Sequence, residues 1–326
     1  MSVLEKDIFD GMSVVALAGG VGGAKLARGL TLALKGDDLT VVVNTGDDFM
    51  HMGLWISPDL DSVCYGLAAL NDPVRGWGLA GESWTVFEQL KARGGPEWFQ
   101  LGDKDLATHL MRTQFLAEGK SLSEATAILC QGWGINARVL PMSDAPCPTR
   151  VELKDGRVLD FQHYFVGEAC KPQVKSILLP QTEAVDASQA VLQALWDCDL
   201  IVICPSNPWL SIDPILNAKG MREAMAKRPV VAVSPFIGGQ AVKGPAAKMA
   251  AELGFGSDAN ALVYHYQGLL KGLLADRADR ELSPEAQEQG IILKRSDILM
   301  KDDQDKRRVA EEVLKLGLNL IAERSS

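Results

Sequence analysis

The run Ala18-Gly19-Gly20-Val21-Gly22-Gly23-Ala24-Lys25 constrains this chain more than any other part of it. It follows a short apolar run, residues 14–18, and over residues 23–34 Leu26, Ala27, Leu30 and Leu34 recur at helical spacing. That order is strand, glycine turn, helix. Residues 39–43 then read as a second β-branched strand buried on both faces, ending in the polar loop Asn44-Thr45-Gly46-Asp47-Asp48. The alternation resumes with a strand at 175–179, a helix around 187–196, a strand at 200–204, a helix near 221–226 and a strand at 230–233. Strands that alternate with helices predict an α/β fold whose parallel sheet is covered on both faces.

Between the two halves the pattern changes. Residues 60–133 carry helical periodicity, and 150–166 alternate around Asp155-Gly156 like a hairpin. Residues 1–62 and 172–326 are therefore expected to form the core, with 63–171 as an inserted cap subdomain in one compact unit without a linker. Val309, Val313, Leu316 and Leu320 form one stripe over 302–323, as in a closing amphipathic helix.

Composition removes several functions. With 326 residues, 47% hydrophobic, the chain has enough material for a large core, and its net charge of -9 leaves no basic field for a nucleic acid. The opening Met1 to Asp7 lacks a basic segment, and no apolar run approaches the roughly 18 residues that span a bilayer, so a soluble cytoplasmic setting is expected. Six cysteines occur without a Cys-x-x-Cys pair, which argues against a zinc knuckle or redox motif and for reduced, mostly buried thiols.

Anionic ligands must then be held by local devices. The turn Gly19, Gly20, Val21, Gly22, Gly23 lets backbone N–H groups approach a diphosphate at a helix N-terminus, and Lys25 adds charge; tight strand-to-helix packing is the alternative role for the same glycines. A nicotinamide fingerprint needs a small residue where Lys25 stands and an acid where Asn44 stands, and a Walker loop needs Gly-Lys-Ser or Gly-Lys-Thr. Both are disfavoured.

Asp47 and Asp48 leave the second strand, and Asp59 and Asp61 follow in Ser57-Pro58-Asp59-Leu60-Asp61. Four carboxylates at the carboxyl edge of a parallel sheet require compensation, and hard oxygen donors beside a diphosphate suit Mg²⁺. Helix capping by Asp59 and turn formation by Asp47 are the alternatives. Further on, Asp103 can cap a helix that carries Thr108 and His109, where a lone histidine reads as structural before it reads as a base. Ser206, Asn207 and Ser234 sit in loops after later strands, on the rim expected to hold a nucleoside. Trp55, Trp77 and Trp84 are candidates to stack a flat heterocycle or to pack the core.

Read in order, A-G-G-V-G-G-A-K-L, V-V-V-N-T-G-D-D, I-S-P-D-L-D, D-P-V-R-G-W-G, L-G-D-K-D-L-A-T-H, L-P-M-S-D, P-S-N-P and S-P-F-I-G-G resemble the 2-phospho-L-lactate transferases of coenzyme F420 biosynthesis. The resemblance runs from about Val14 into the C-terminal region. It implies a Rossmann-like fold with an inserted region, a homodimer, and a reaction in which the ribityl hydroxyl of the deazaflavin Fo attacks the phosphorus bearing a small acid and GMP leaves. It also implies Mg²⁺ on Asp47 and Asp61 with Asp59 as a further ligand, and catalytic roles for Asp61 and Asp47. Diphosphate and nucleoside would fall to the glycine turn, Lys25, Asn44, Ser206, Asn207 and Ser234, and Fo to Asp48, Asp61, Gln100, Gly102 and Asp103. The donor acid stays open among phospholactate, phosphoenolpyruvate and phosphoglycerate. The competing class is a non-catalytic regulator resembling the uridine-nucleotide-sugar-binding gluconeogenesis factors, which need not carry the paired acidic motifs.

Overall fold

In the computed structural model the structure describes residues 8–34, 38–241 and 246–325; the opening Met1 to Asp7 lies outside them. Seven parallel strands form the central sheet: β1 (Val14–Ala18), β2 (Leu39–Val43), β3 (Arg138–Pro141), β4 (Leu200–Ile203), β5 (Val230–Val233), β6 (Gly272–Asp276) and β7 (Ile292–Ser296). Their spatial order is β3-β2-β1-β4-β5-β6-β7. This is the Rossmann-like arrangement, and the order reverses between β1 and β4.

Alternate residues of β1 feed the two faces. Val14, Ala16 and Ala18 join a core with Leu26, Leu30, Val309 and Val313, while Val15 and Leu17 join another with Val191, Leu195, Met221 and Leu262. The first face is covered by α1 (Gly20–Ala33) and, at the chain's end, by the long amphipathic helix Asp303–Ser325. These two helices touch at Gly29, where a side chain would run into the Lys306 carbonyl. The 60–133 stretch carries helices where its periodicity predicts them, separated by irregular chain at 68–84 and 92–102, with α2 (Pro58–Leu67) and α3 (Asp103–Ala117) flanking the site described below.

Two strands fall elsewhere than their patterns indicate. The strand expected at 175–179 is Val174–Leu178, and it pairs antiparallel with Arg150–Leu153, which also pairs with Val158–Asp160, in a separate three-stranded sheet. Conversely β3, from within the stretch read as an insertion, pairs with β2 and closes one edge of the central sheet. Period-two alternation identifies a strand but carries no information about its neighbour. The hairpin at Asp155-Gly156 is present, with Gly156 at φ 89°. No described helix is long and apolar enough to cross a membrane, and all six cysteines are free.

Candidate active site

The segments leaving β1 and β4 meet where the strand order reverses, the place where open parallel sheets bind ligands. Gly19 is extended and Gly20 takes φ 59°, so α1 begins at the sheet edge, where the N–H groups of its first turn have no partner within the helix. Close approach demands the glycines. A side chain at Gly19 would strike Asp59 and Ser211, and one at Gly22 the Pro205 carbonyl. Ser206 Oγ accepts from the Gly19 N–H at 3.0 Å and donates to the Gly19 carbonyl at 2.8 Å, tying the two strand ends together.

Asn44, just past β2, organises the acidic groups. Its Nδ2 donates to Asp59 Oδ2 at 2.9 Å and lies 3.2 Å from Asp47 Oδ1, while its Oδ1 accepts from the Gly46 N–H at 2.8 Å. Gln162 Nε2 donates to the other Asp47 oxygen at 2.8 Å. Burial, and then repulsion from Asp59 and Asp48, pushes the Asp47 carboxyl well above its ordinary range. Burial likewise raises Asp59 to about 6, against hydrogen bonds from Asn44, Gly20 and Ser211. Asp59 is not the cap of α2, a position held by Ser57. The two loops therefore converge, and the pair of buried, mutually repelling carboxylates fits a hard divalent cation.

Asp61 faces a different set of neighbours. Both its oxygens pair with the terminal nitrogens of buried Arg112, one of these contacts at 3.1 Å, and His109 Nδ1 stands 3.7 Å away. Arg112 also reaches His109 Nδ1 at 3.2 Å, His109 Nε2 is 3.4 Å from Asp105 Oδ1, and the Tyr65 hydroxyl donates to Asp105 at 2.6 Å. Despite its burial, the approach of His109, the Tyr65 hydrogen bond and the Arg112 charge hold the Asp105 carboxyl below its usual range. Asp61, Asp105 and His109 offer ligand atoms within 4.8 Å of one another. The Arg112 guanidinium supplies counter-charge to Asp61, so a cation held by Asp61 would share that carboxylate with an arginine.

The acidic groups and His109 line one cavity of about 640 Å³, a size suited to small-molecule substrates. Gly19, Gly20, Val21, Gly22, Lys25, Ser206, Asn207 and Ser234 line it, as do Asp47, Asp59 and Asp61, and Tyr65, Trp77, Trp98, Phe99, Phe161 and Phe165 supply aromatic wall. Lys25 Nζ donates to the Met300 carbonyl at 2.7 Å. Asn207 Oδ1 accepts from the N–H groups of Trp209 and Leu210, yet its buried Nδ2 finds no hydrogen-bond partner among the described residues. Ser234 Oγ is turned to the backbone of Phe236.

Of the residues expected to meet Fo, Asp61 and Gln100 line the cavity, whereas Asp48, Gly102 and Asp103 do not. Asp103 is spent on the free N–H groups of Thr85 and Val86 at the start of a neighbouring helix, with Ser83 as a third donor. Asp48 takes Trp55 Nε1 at 3.2 Å and Ser57 Oγ at 2.7 Å. Gly23 and Asn44 also stand behind the wall, the first packed on Ser206 and the second bonded to the carboxylates. Trp77 and Trp84 flank the Arg75 guanidinium at 5.3 and 4.9 Å. The sequence reading passed over Arg112, Gln162, Asp105 and Tyr65. A signal existed for two of them, since Asp105, His109 and Arg112 recur at helical spacing and form a polar stripe on α3.

The family model described as 2-phospho-L-lactate transferase CofD matches residues 14–315. The chain belongs to that family. Similar members include a phosphoenolpyruvate transferase of Kitasatospora aureofaciens, 41% identical over 314 residues, covering 94% of this chain and 98% of the relative. A 2-phospho-L-lactate transferase of Methanosarcina mazei is 36% identical over 301 residues, 92% of this chain and 99% of the relative. The fold is shared with a Bacillus halodurans protein of the UPF0052 family, at TM-score 0.62 and 17% identity over 93% of this chain and 99% of that one. Membership makes the chain a CofD-type transferase of F420 biosynthesis, and the non-catalytic alternative gives way.

Proposed function

We propose that this family member moves a phosphate-linked three-carbon acid from a guanosine diphosphate carrier to the terminal ribityl hydroxyl of Fo. The hydroxyl oxygen bonds to the phosphorus that bears the acid, the phosphoanhydride bond breaks, its electron pair leaves with GMP, and the hydroxyl proton is released. The observation that carries this reading is that a glycine-lined helix start, a pair of buried carboxylates and an aromatic wall border one cavity. A phosphoryl-transfer site needs these three parts: a diphosphate cradle, charge compensation and a platform for the acceptor.

Mg²⁺ would be held by Asp47 and Asp59, whose carboxylates converge on the Asn44 amide. Bound there, it would supply positive charge to the phosphate oxygens. Asp61, paired with Arg112, orients the attacking hydroxyl instead of binding metal, and Lys25 and the glycine turn take the diphosphate. Asn207, with its spare Nδ2, serves the guanosine side. The homodimer and the cytoplasmic setting belong to the same reading. Of the two relatives above, the more similar is named for phosphoenolpyruvate, which makes that acid the leading donor. Mass spectrometry after supplying Fo, Mg²⁺ and each of the three guanylated acids tests the proposal. A Fo adduct carrying the acid, with GMP, is the expected product, and the absence of any adduct in all three arms sinks it.

A further inference from the structure

His109 is 1% exposed, yet it lines the cavity, and its Nε2 has no hydrogen-bond partner among the described residues. A buried polar nitrogen left without a partner at the edge of an open space calls for a ligand atom. The other ring nitrogen is engaged. Arg112 lies 3.2 Å from Nδ1, and because a guanidinium only donates, Nδ1 accepts and the ring proton resides on Nε2. Asp105 Oδ1 stands 3.4 Å from that nitrogen but is poorly aligned for a hydrogen bond, and its carboxylate also lines the cavity. The Tyr65 hydroxyl occupies one acceptor position on Asp105, and a carboxylate has others.

We propose that His109 and Asp105 form a two-point site for one hydroxyl group of the acceptor's polyol chain, with Arg112 as the positioning residue that sets the imidazole tautomer. The Nε2–H donates to the hydroxyl oxygen, and the hydroxyl proton is donated to Asp105. Only a group that accepts and donates through one atom satisfies both partners. A carbonyl oxygen has no proton for Asp105, a phosphate oxygen would meet a negative carboxylate, and an ammonium cannot accept from Nε2. The inference rests on the reading that the acceptor is a deazaflavin with a ribityl chain.

Binding, measured without turnover, tests it. Fo and an N10-alkyl deazaflavin lacking side-chain hydroxyls are titrated by fluorescence against the wild-type protein, His109→Phe and His109→Gln. The wild type is expected to prefer Fo by at least about tenfold, the phenylalanine variant to lose most of that preference, and the glutamine variant, which keeps a donor, to recover part of it. Nitrogen NMR of the wild type should show the Nε2–H tautomer of His109, and Arg112→Lys should disturb it. An unchanged preference in His109→Phe, or an Nδ1–H tautomer in the wild type, overturns the inference while leaving the acceptor reading intact. If the phenylalanine variant does not fold, the wild-type preference between the two deazaflavins and the tautomer still decide. A folded wild type that binds neither deazaflavin overturns the acceptor reading and this site with it.

Discussion

The Asn44 amide donates to Asp59 across 2.9 Å and so ties the loop after β2 to the first turn of α2. The same nitrogen lies within hydrogen-bond reach of Asp47, which makes one neutral side chain the meeting point of two acidic loops. Replacing it by a carboxylate, Asn44→Asp, turns a buried donor into a third negative charge. Stability should fall by roughly 2–4 kcal/mol and turnover by at least about a hundredfold. Urea denaturation with and without Mg²⁺ checks this, and an unchanged midpoint in both would contradict it.

Arg112 balances Asp61 in a setting where both side chains are buried. Arg112→Met strands a charge and should cost about 3–5 kcal/mol, whereas the double variant Asp61→Asn with Arg112→Met should recover part of the loss. A coupling energy below about 0.5 kcal/mol in the double-mutant cycle would show that the pair does not act as a unit.

Gly22 and Gly132 make a matched comparison. A methyl group at Gly22 meets the Pro205 backbone carbonyl, which cannot rotate away, while one at Gly132 meets nothing within 4 Å among the described residues beyond its own helix. Gly22→Ala should lose about 1–3 kcal/mol and weaken GDP binding, and Gly132→Ala should be neutral or gain up to about 1 kcal/mol. Thermal melts with and without GDP separate the two effects, and equal behaviour of the variants would rule out the crowding argument.

Burial raises the thiols, Cys170 to about 11 and Cys147 and Cys198 to about 12. Because the thiolate is the reactive form, alkylation of the native protein by iodoacetamide at pH 8 should be slow and should reach half-buried Cys170 first. Its rate should rise about tenfold per pH unit from 8 to 9, both values lying below the thiol's own. Peptide mapping reads the order, and early labelling of Cys204 would speak against the buried environment found for it.

Local pattern was sufficient for β1, α1, β2 and the C-terminal helix, because each has a length, a period and a boundary that short-range sterics and burial impose. The glycine turn and the Asp47 and Asp59 loops were legible as a site for a related reason. Loops at the carboxyl ends of adjacent parallel strands have to come together once the sheet forms. Edge strand β7 was missed, since Lys294 and Arg295 interrupt its apolar pattern where one side of the strand lacks a partner.

Assignment of partners was another matter. That Asp61 pairs with Arg112, 51 residues away, that Gln162 bonds Asp47 across 115 residues, and that Asp103 caps a neighbouring helix instead of lining the cavity all depend on which surfaces pack together. The residue order of this chain was enough for its family, its parallel sheet and the two acidic loops at the sheet's edge, since those follow from periodicity and from the geometry of βαβ units. That Asp61 meets an arginine while Asp47 and Asp59 meet at an amide was decided only in three dimensions, because a hydrogen bond depends on distance and direction between side chains that the linear order leaves far apart.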